Sequence, residues 1–228
     1  MTLFRTVLLT SGLSLALHGG TAQAQTLAQD APGSRSASER LISLQMPARP
    51  DPVPVAVNPA TTALLVLDYV DPICTRQPKC SEQMVPAATR LIARARKAGV
   101  VVAYGTRAKN MPNWVPAIAP APGDIKVENT AQDRFYNTDL DKALKAKGIS
   151  TIIMFGWSVN GGTTYTSVGA TAHGYTVVVP VDLTGAATDY ATAIGFYQIL
   201  NQDDRNTTNE PLKPKATTLS RTDLITFK

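Results

Sequence analysis

The chain has 228 residues, of which 44% are hydrophobic and 17% charged, with a formal net charge of +5. The positive side chains are dispersed over two segments, Arg90, Arg94, Arg96 and Lys97 in one and Lys142, Lys145 and Lys147 in the other, with no basic stripe interleaved with aromatics, so no nucleic-acid partner is expected. Two cysteines and two histidines leave too few soft ligands for a metal centre, and neither a metal nor a cofactor is expected.

Arg5, the apolar run Val7 to Leu17 and the triplet Ala22-Gln23-Ala24 have the layout of a secretory signal peptide cut after Ala24. The run is too short to cross a bilayer as a helix. Cleavage removes Arg5 and takes the formal charge from +5 to +4. The expectation is a periplasmic or secreted protein with no membrane attachment once the peptide is removed. Residues 25–60 are rich in Ala, Ser, Pro, Gln and Asp without hydrophobic periodicity, and read as a flexible leader or an arm over the surface. Residues 61–228 remain as a single domain, long enough to bury a full core.

In that domain Thr62 to Leu67 is an apolar run ending at Asp68, the pattern of a buried parallel strand. Cys74 and Cys80 follow; in an oxidising compartment so close a pair reads as a disulfide, with metal binding, a redox role or a relocated nucleophile as less favoured uses. Ser81-Glu82-Gln83 opens a helix carried by Val85, Ala88, Leu91, Ile92 and Ala95 and stopped by Gly99. Val100 to Tyr104 is a second strand. Residues 105–130 hold four prolines and read as a long functional loop, with Trp114 and Arg107 as pocket-lining side chains. Thr138 starts a helix that runs to Gly148, Thr151 to Gly156 is a third strand, and Gly161 to His173 is a glycine-led turn and helix. Tyr175 to Val181 is a fourth strand, Asp189 to Leu200 a helix, and residues 216–227 a last strand with a short terminal element.

Alternating strands and helices predict an α/β protein: a three-layer α/β/α, Rossmann-like architecture around a mostly parallel sheet of about six strands. Ligands in such folds bind beyond the carboxyl ends of the strands, which brings Asp68, the 105–130 loop, the Gly156 to Gly162 turn and Asp182 to one edge. Asp68 is either a strand-end acid used as a cap or ion-pair partner, or a chemical group. The paired glycines Gly161 and Gly162 serve a tight turn or leave backbone amides open to an oxyanion.

Thr62 to Asp68, Phe135-x-x-Thr138-x-Leu140, and Gly156 to Gly174-Tyr175 followed by Val177-Val178-Val179 together resemble the isochorismatase-like (cysteine hydrolase) family across roughly residues 60–228. The resemblance implies a hydrolase of small molecules, frequently oligomeric, with an Asp, Lys and Cys triad. Asp68 matches the aspartate. The cysteine position falls on Gly162, and the lysine position falls near Asn129, with Lys126 the nearest lysine and therefore the catalytic candidate. Tyr69, Trp114, Asp133, Asn160, Gly161, Gly162 and Thr163 are the candidate substrate-binding residues, and the likeness to members with glycine at the cysteine position implies vinyl-ether cleavage with Asp68 as the acid. The expected function is therefore an exported hydrolase for vinyl-ether or C–N bonds with Asp68 as general acid/base. A non-catalytic small-molecule binding protein on the same fold is the alternative, and a reader of partner proteins through the proline-rich loop is a third reading.

Overall fold

Aliphatic and β-branched runs separated by helices build one six-stranded sheet in the computed structural model, which describes residues 45–107, 113–202 and 205–228. The signal-peptide segment, the leader up to residue 44 and residues 108–112 of the proline-rich stretch lie outside the described residues. The strands are β1 (Val55–Val57), β2 (Thr62–Leu67), β3 (Val101–Arg107), β4 (Ile125–Asn129), β5 (Thr151–Gly156), β6 (Thr176–Pro180), β7 (Thr217–Ser220) and β8 (Ile225–Phe227). The helices are α1 (Val85–Lys97), α2 (Leu140–Lys145), α3 (Thr164–Ala172) and α4 (Asp189–Leu200). The sheet order is β4-β3-β2-β5-β6-β7 and every pairing in it is parallel.

Side chains alternate across each strand, and the alternation sorts the core into two layers. Leu64 and Val66 of β2, Val102 and Tyr104 of β3 and Phe155 of β5 face Leu91, Ile92 and Ala95 of α1. Leu65 and Leu67, Ala103, Met154 and Val177 face the other way, onto Leu140 and Leu144 of α2 and Phe196 and Ile199 of α4. Covered on both faces, the strands read as continuous apolar runs, and β2 is buried at all six positions.

The structure revises four expectations. The compact unit begins at Pro47 rather than at residue 61. Val55 and Val57 are buried, β1 pairs in parallel with β8, and the Val53 amide donates to the Leu219 carbonyl at 3.0 Å. The 105–130 stretch is not all loop: β3 runs on to Arg107, and Ile125–Asn129 adds the edge strand β4. That strand alternates polar and apolar residues and follows several prolines, so its signal is weak. The helix expected from Thr138 is the short α2. Finally, α3 begins at Thr164, because Val159–Thr163 forms a wider π-helical turn broken at Gly161 (φ −131°, ψ −116°).

Cys74 and Cys80 are joined by a disulfide and fully buried, which removes Cys74 as a nucleophile. The bridge closes a loop of sequence separation 6. Replacing both cysteines by alanine is expected to lower the unfolding free energy by about 2 kcal/mol through the loop entropy returned to the unfolded chain. A urea midpoint unchanged by the double substitution would contradict a stabilising bridge.

Candidate active site

The central strand β2 delivers Asp68 to the middle of the carboxyl edge. The Asp68 amide donates to the Gly105 carbonyl of β3 at 3.0 Å, and the residue adopts a left-handed φ of +54°. Aspartate tolerates that region better than most residues because its short polar side chain bonds locally. The side chain is buried. Thr106 Oγ1 donates to Asp68 Oδ1 at 3.1 Å, and one Arg134 terminal nitrogen donates to Oδ2 at 2.7 Å.

Arg134 is completely buried and forms a salt bridge with Asp68. Its other terminal nitrogen donates to Asn129 Oδ1 at 2.9 Å and to the Ala131 carbonyl at 2.5 Å. Asn129 ends β4, and its Nδ2 donates to the carbonyls of Asp133 at 2.6 Å and Tyr136 at 2.9 Å. One carboxamide thus binds both the guanidinium and the loop that carries it. The stem of the arginine crosses β3 at Gly105, where a Cβ would stand 2.9 Å from Arg134 Cγ and 3.1 Å from Cδ. Glycine at 105 provides the space for the cation.

The third side of the site is the turn between β5 and α3, which starts after a cis peptide between Trp157 and Ser158. A Cβ on Gly162 would lie 2.8 Å from Asp68 Oδ2 and 3.7 Å from the Arg134 nitrogen that holds it. The ion pair therefore leans directly over Gly162, into the space a side chain there would occupy. Gly162 and Thr163 are buried, Gly161 is partly exposed and Asn160 is exposed. Gln132 is exposed above Gly161, with Oε1 3.7 Å from a Cβ built there. Among the described residues, Arg134 Nε and Thr163 Oγ1 are buried without a hydrogen-bond partner.

Asp68, Gly161, Gly162 and Thr163 are thus brought together, and the cation beside them is Arg134, not Lys126. Lys126 is exposed on β4, in register with Tyr104, whereas Asn129 lies three residues on and on the other face. Strand alternation makes an odd offset a change of face, so Lys126 and Arg134 stand on opposite sides of the sheet. Lys126 instead shares a cleft of about 390 Å³ with Trp114, Ala119, Pro120, Val127 and Glu128, which none of Asp68, Arg134 and Gly162 lines. Trp114 packs edge-on against Tyr104 at 5.1 Å and bridges to Val70.

Tyr69, expected among the substrate-binding residues, is core. It is fully buried, packs edge-on against Phe155 and donates its hydroxyl to the Leu183 carbonyl at 2.8 Å. Burial pushes that phenol well above its ordinary pKa, and the charge of Asp182 adds to the effect. Asp182 itself receives the Thr222 amide at 3.0 Å and anchors the C-terminal segment.

Asp133 lies against α3: a Cβ on Gly169 would come within 2.5 Å of its carboxylate, and its Oδ1 accepts the Phe135 amide at 2.8 Å. Burial raises the Asp133 pKa, opposed by the Phe135 amide and by the charges of His173 and Arg134. Asp133 therefore shapes the loop that presents Arg134. Among the described residues, no three His, Cys, Asp or Glu side chains are grouped to hold a metal ion.

With the geometry in place, comparison with known proteins gives a family. The Isochorismatase domain model matches residues 62–202. The chain belongs to the isochorismatase family. Ureidoacrylate amidohydrolase RutB of Methylobacterium radiotolerans is 26% identical to it, over 56% of this chain and 67% of that protein. The isochorismatase family protein YecD of Escherichia coli O157:H7 is 30% identical, over 58% of this chain and 83% of its own length. In fold, N-carbamoylsarcosine amidase from Thermoplasma acidophilum superposes with a TM-score of 0.59 at 22% identity, covering 72% of this chain and 97% of that one. An isochorismatase family protein from Burkholderia thailandensis gives 0.62 at 22% identity, covering 76% and 96%. This chain is accordingly an isochorismatase-like hydrolase, with Asp68, Arg134 and the Gly162 turn at the carboxyl edge of its sheet.

Proposed function

We propose that the protein is an exported hydrolase that cleaves a C–N bond of a small amide, N-carbamoyl or ureido compound by direct attack of water, with Asp68 as general base and no thiol nucleophile. The observation that carries this reading is the Asp68–Arg134 salt bridge bent over Gly162, where a cysteine side chain would collide with the carboxylate. The amidohydrolase and amidase names of the relatives supply the bond type.

In the proposed step, water gives a proton to the Asp68 carboxylate while its oxygen bonds to the carbonyl carbon, and the carbonyl oxygen takes the electron pair. Collapse then breaks the C–N bond, and the leaving nitrogen takes the proton back from Asp68. The amides of Val159, Gly161 and Thr163 are already spent on the Gly185 and Ser158 carbonyls. We assign the oxyanion to the Gly162 amide because that residue lies against the ion pair. Vinyl-ether cleavage asks Asp68 to begin as an acid, whereas a salt bridge offers a carboxylate, which favours base chemistry.

The test is turnover of primary amides, N-carbamoyl acids and ureido acids by the purified chain, with products read by mass spectrometry before and after iodoacetamide. Both cysteines are in the disulfide, so hydrolysis is expected to be unchanged by alkylation. Activity that disappears on alkylation would sink the thiol-free reading. Export is supported by the N-terminal sequence pattern; the protein recovered from the periplasm or medium is expected to begin at Gln25.

A second reading has its own observation. Each Asp68 oxygen already has a partner, and only 4% of the residue is exposed. A binding protein that retained the pocket without turnover fits that arrangement, and saturable binding of a compound that is never converted would select it.

A further inference from the structure

Arg134 has more donors than its partners use. One terminal nitrogen serves Asn129 and Ala131, the other serves Asp68 through a single recorded bond, and Nε has no partner among the described residues. A guanidinium carries five N–H groups, so this buried cation keeps donors in reserve at a position where unsatisfied donors are costly. The nitrogen on Asp68 also lies 3.7 Å from the point where a Gly162 Cβ would sit. Carboxylate, cation and the Gly162 turn therefore converge on one spot.

We propose that Arg134 is a catalytic residue that donates to the substrate oxygen gaining negative charge during water attack, and that Asn129 is the positioning residue that holds the guanidinium there. This rests on the base reading of Asp68. The cation is fixed rather than mobile: Asn129 accepts from the guanidinium and donates to the backbone of Asp133 and Tyr136 on either side of it, while Gly105 leaves room for the stem. A donor held in place before the charge develops stabilises it without reorganising. Lysine cannot replace it, because a single ammonium cannot reach Asn129, Asp68 and the substrate in the planar fork that arginine provides.

The experiment measures kcat, KM and melting temperature for Asn129→Leu, Asn129→Asp, Arg134→Lys, Arg134→Met and Asp68→Asn, on whichever amide, N-carbamoyl or ureido compound (N-carbamoylsarcosine included) the unmodified chain hydrolyses fastest. Asn129→Leu and Arg134→Lys are expected to lower kcat about 10- to 100-fold with KM changed far less, the size of one charge-assisted hydrogen bond lost in the transition state. Asn129→Asp keeps the acceptor for Arg134 and is expected to recover most of kcat, even though it loses both backbone bonds and melts lower. Should Arg134→Met fail to fold, Arg134→Lys and the Asn129 pair decide. A kcat within twofold of the unmodified chain in Asn129→Leu and Arg134→Lys, with Asp68→Asn inactive, would overturn this inference and leave the base reading standing. No hydrolysis by the unmodified chain, or full activity in Asp68→Asn, overturns the base reading and this inference with it.

Discussion

Asp68→Asn is expected to lower turnover by about 10²- to 10⁴-fold, the range that a positioned general base contributes. The substitution is nearly isosteric, and asparagine adopts the +54° φ of this position as readily as aspartate does. The single carboxamide oxygen of asparagine can still accept from Arg134, and its amide nitrogen can donate to the Thr106 hydroxyl, which accepts as well as donates, but the side chain cannot take a proton from water. The loss is therefore expected in kcat and kcat/KM together, with KM little changed, the signature of an interaction made only in the transition state. Alanine would be a poorer probe, because an ordinary side chain at positive φ adds backbone strain to the chemical defect. Steady-state kinetics on the best substrate checks this, and a variant within threefold of the unmodified chain would remove Asp68 from the chemistry.

Arg134→Met is expected to carry the largest stability cost of any single substitution at the site, about 3–5 kcal/mol, because it leaves the Asp68 carboxylate buried without its counter-charge. Both partners are almost wholly inaccessible, at 0% and 5% side-chain exposure, so bulk solvent makes up little of the lost counter-charge. The Asn129 and Ala131 acceptors also lose their donor. For a unit of this size the shift corresponds to roughly 6–20 °C in Tm. The double variant Asp68→Asn/Arg134→Met, which removes both charges, is expected to be less destabilised than the two single changes summed. Chemical denaturation of the four forms measures the coupling, and strict additivity would mean that the two side chains do not act as a pair.

The alternation of apolar runs with helical periodicity was enough to define the α/β class, the parallel sheet and the carboxyl edge as the place for a site, because hydrophobic burial imposes its period on the chain itself. Asp68 was legible for a local reason: an acid at the end of a fully apolar strand has to be paired or used. Gly161 and Gly162 were legible as a turn in the same way. The edge strand β4 was not, since one buried face and one exposed face over five residues leave little pattern. With β4 unread, the face of Lys126 is not assigned, and it stands as the candidate cation only as the lysine nearest the family's position at Asn129.

What tertiary structure decided is the identity of that cation. Arg134 is 66 residues from Asp68 in sequence, and its place depends on strand parity, on the absence of a side chain at Gly105 and on a carboxamide at Asn129. Nothing in the local sequence Gln132-Asp133-Arg134 separates a buried ion-pair partner from a solvated surface arginine, because the desolvation that distinguishes them exists only once the sheet edge has formed around it. By itself the sequence determined the fold, the strand-end acid Asp68 and the glycine turn beneath it; the buried charge beside that acid follows from how distant segments pack.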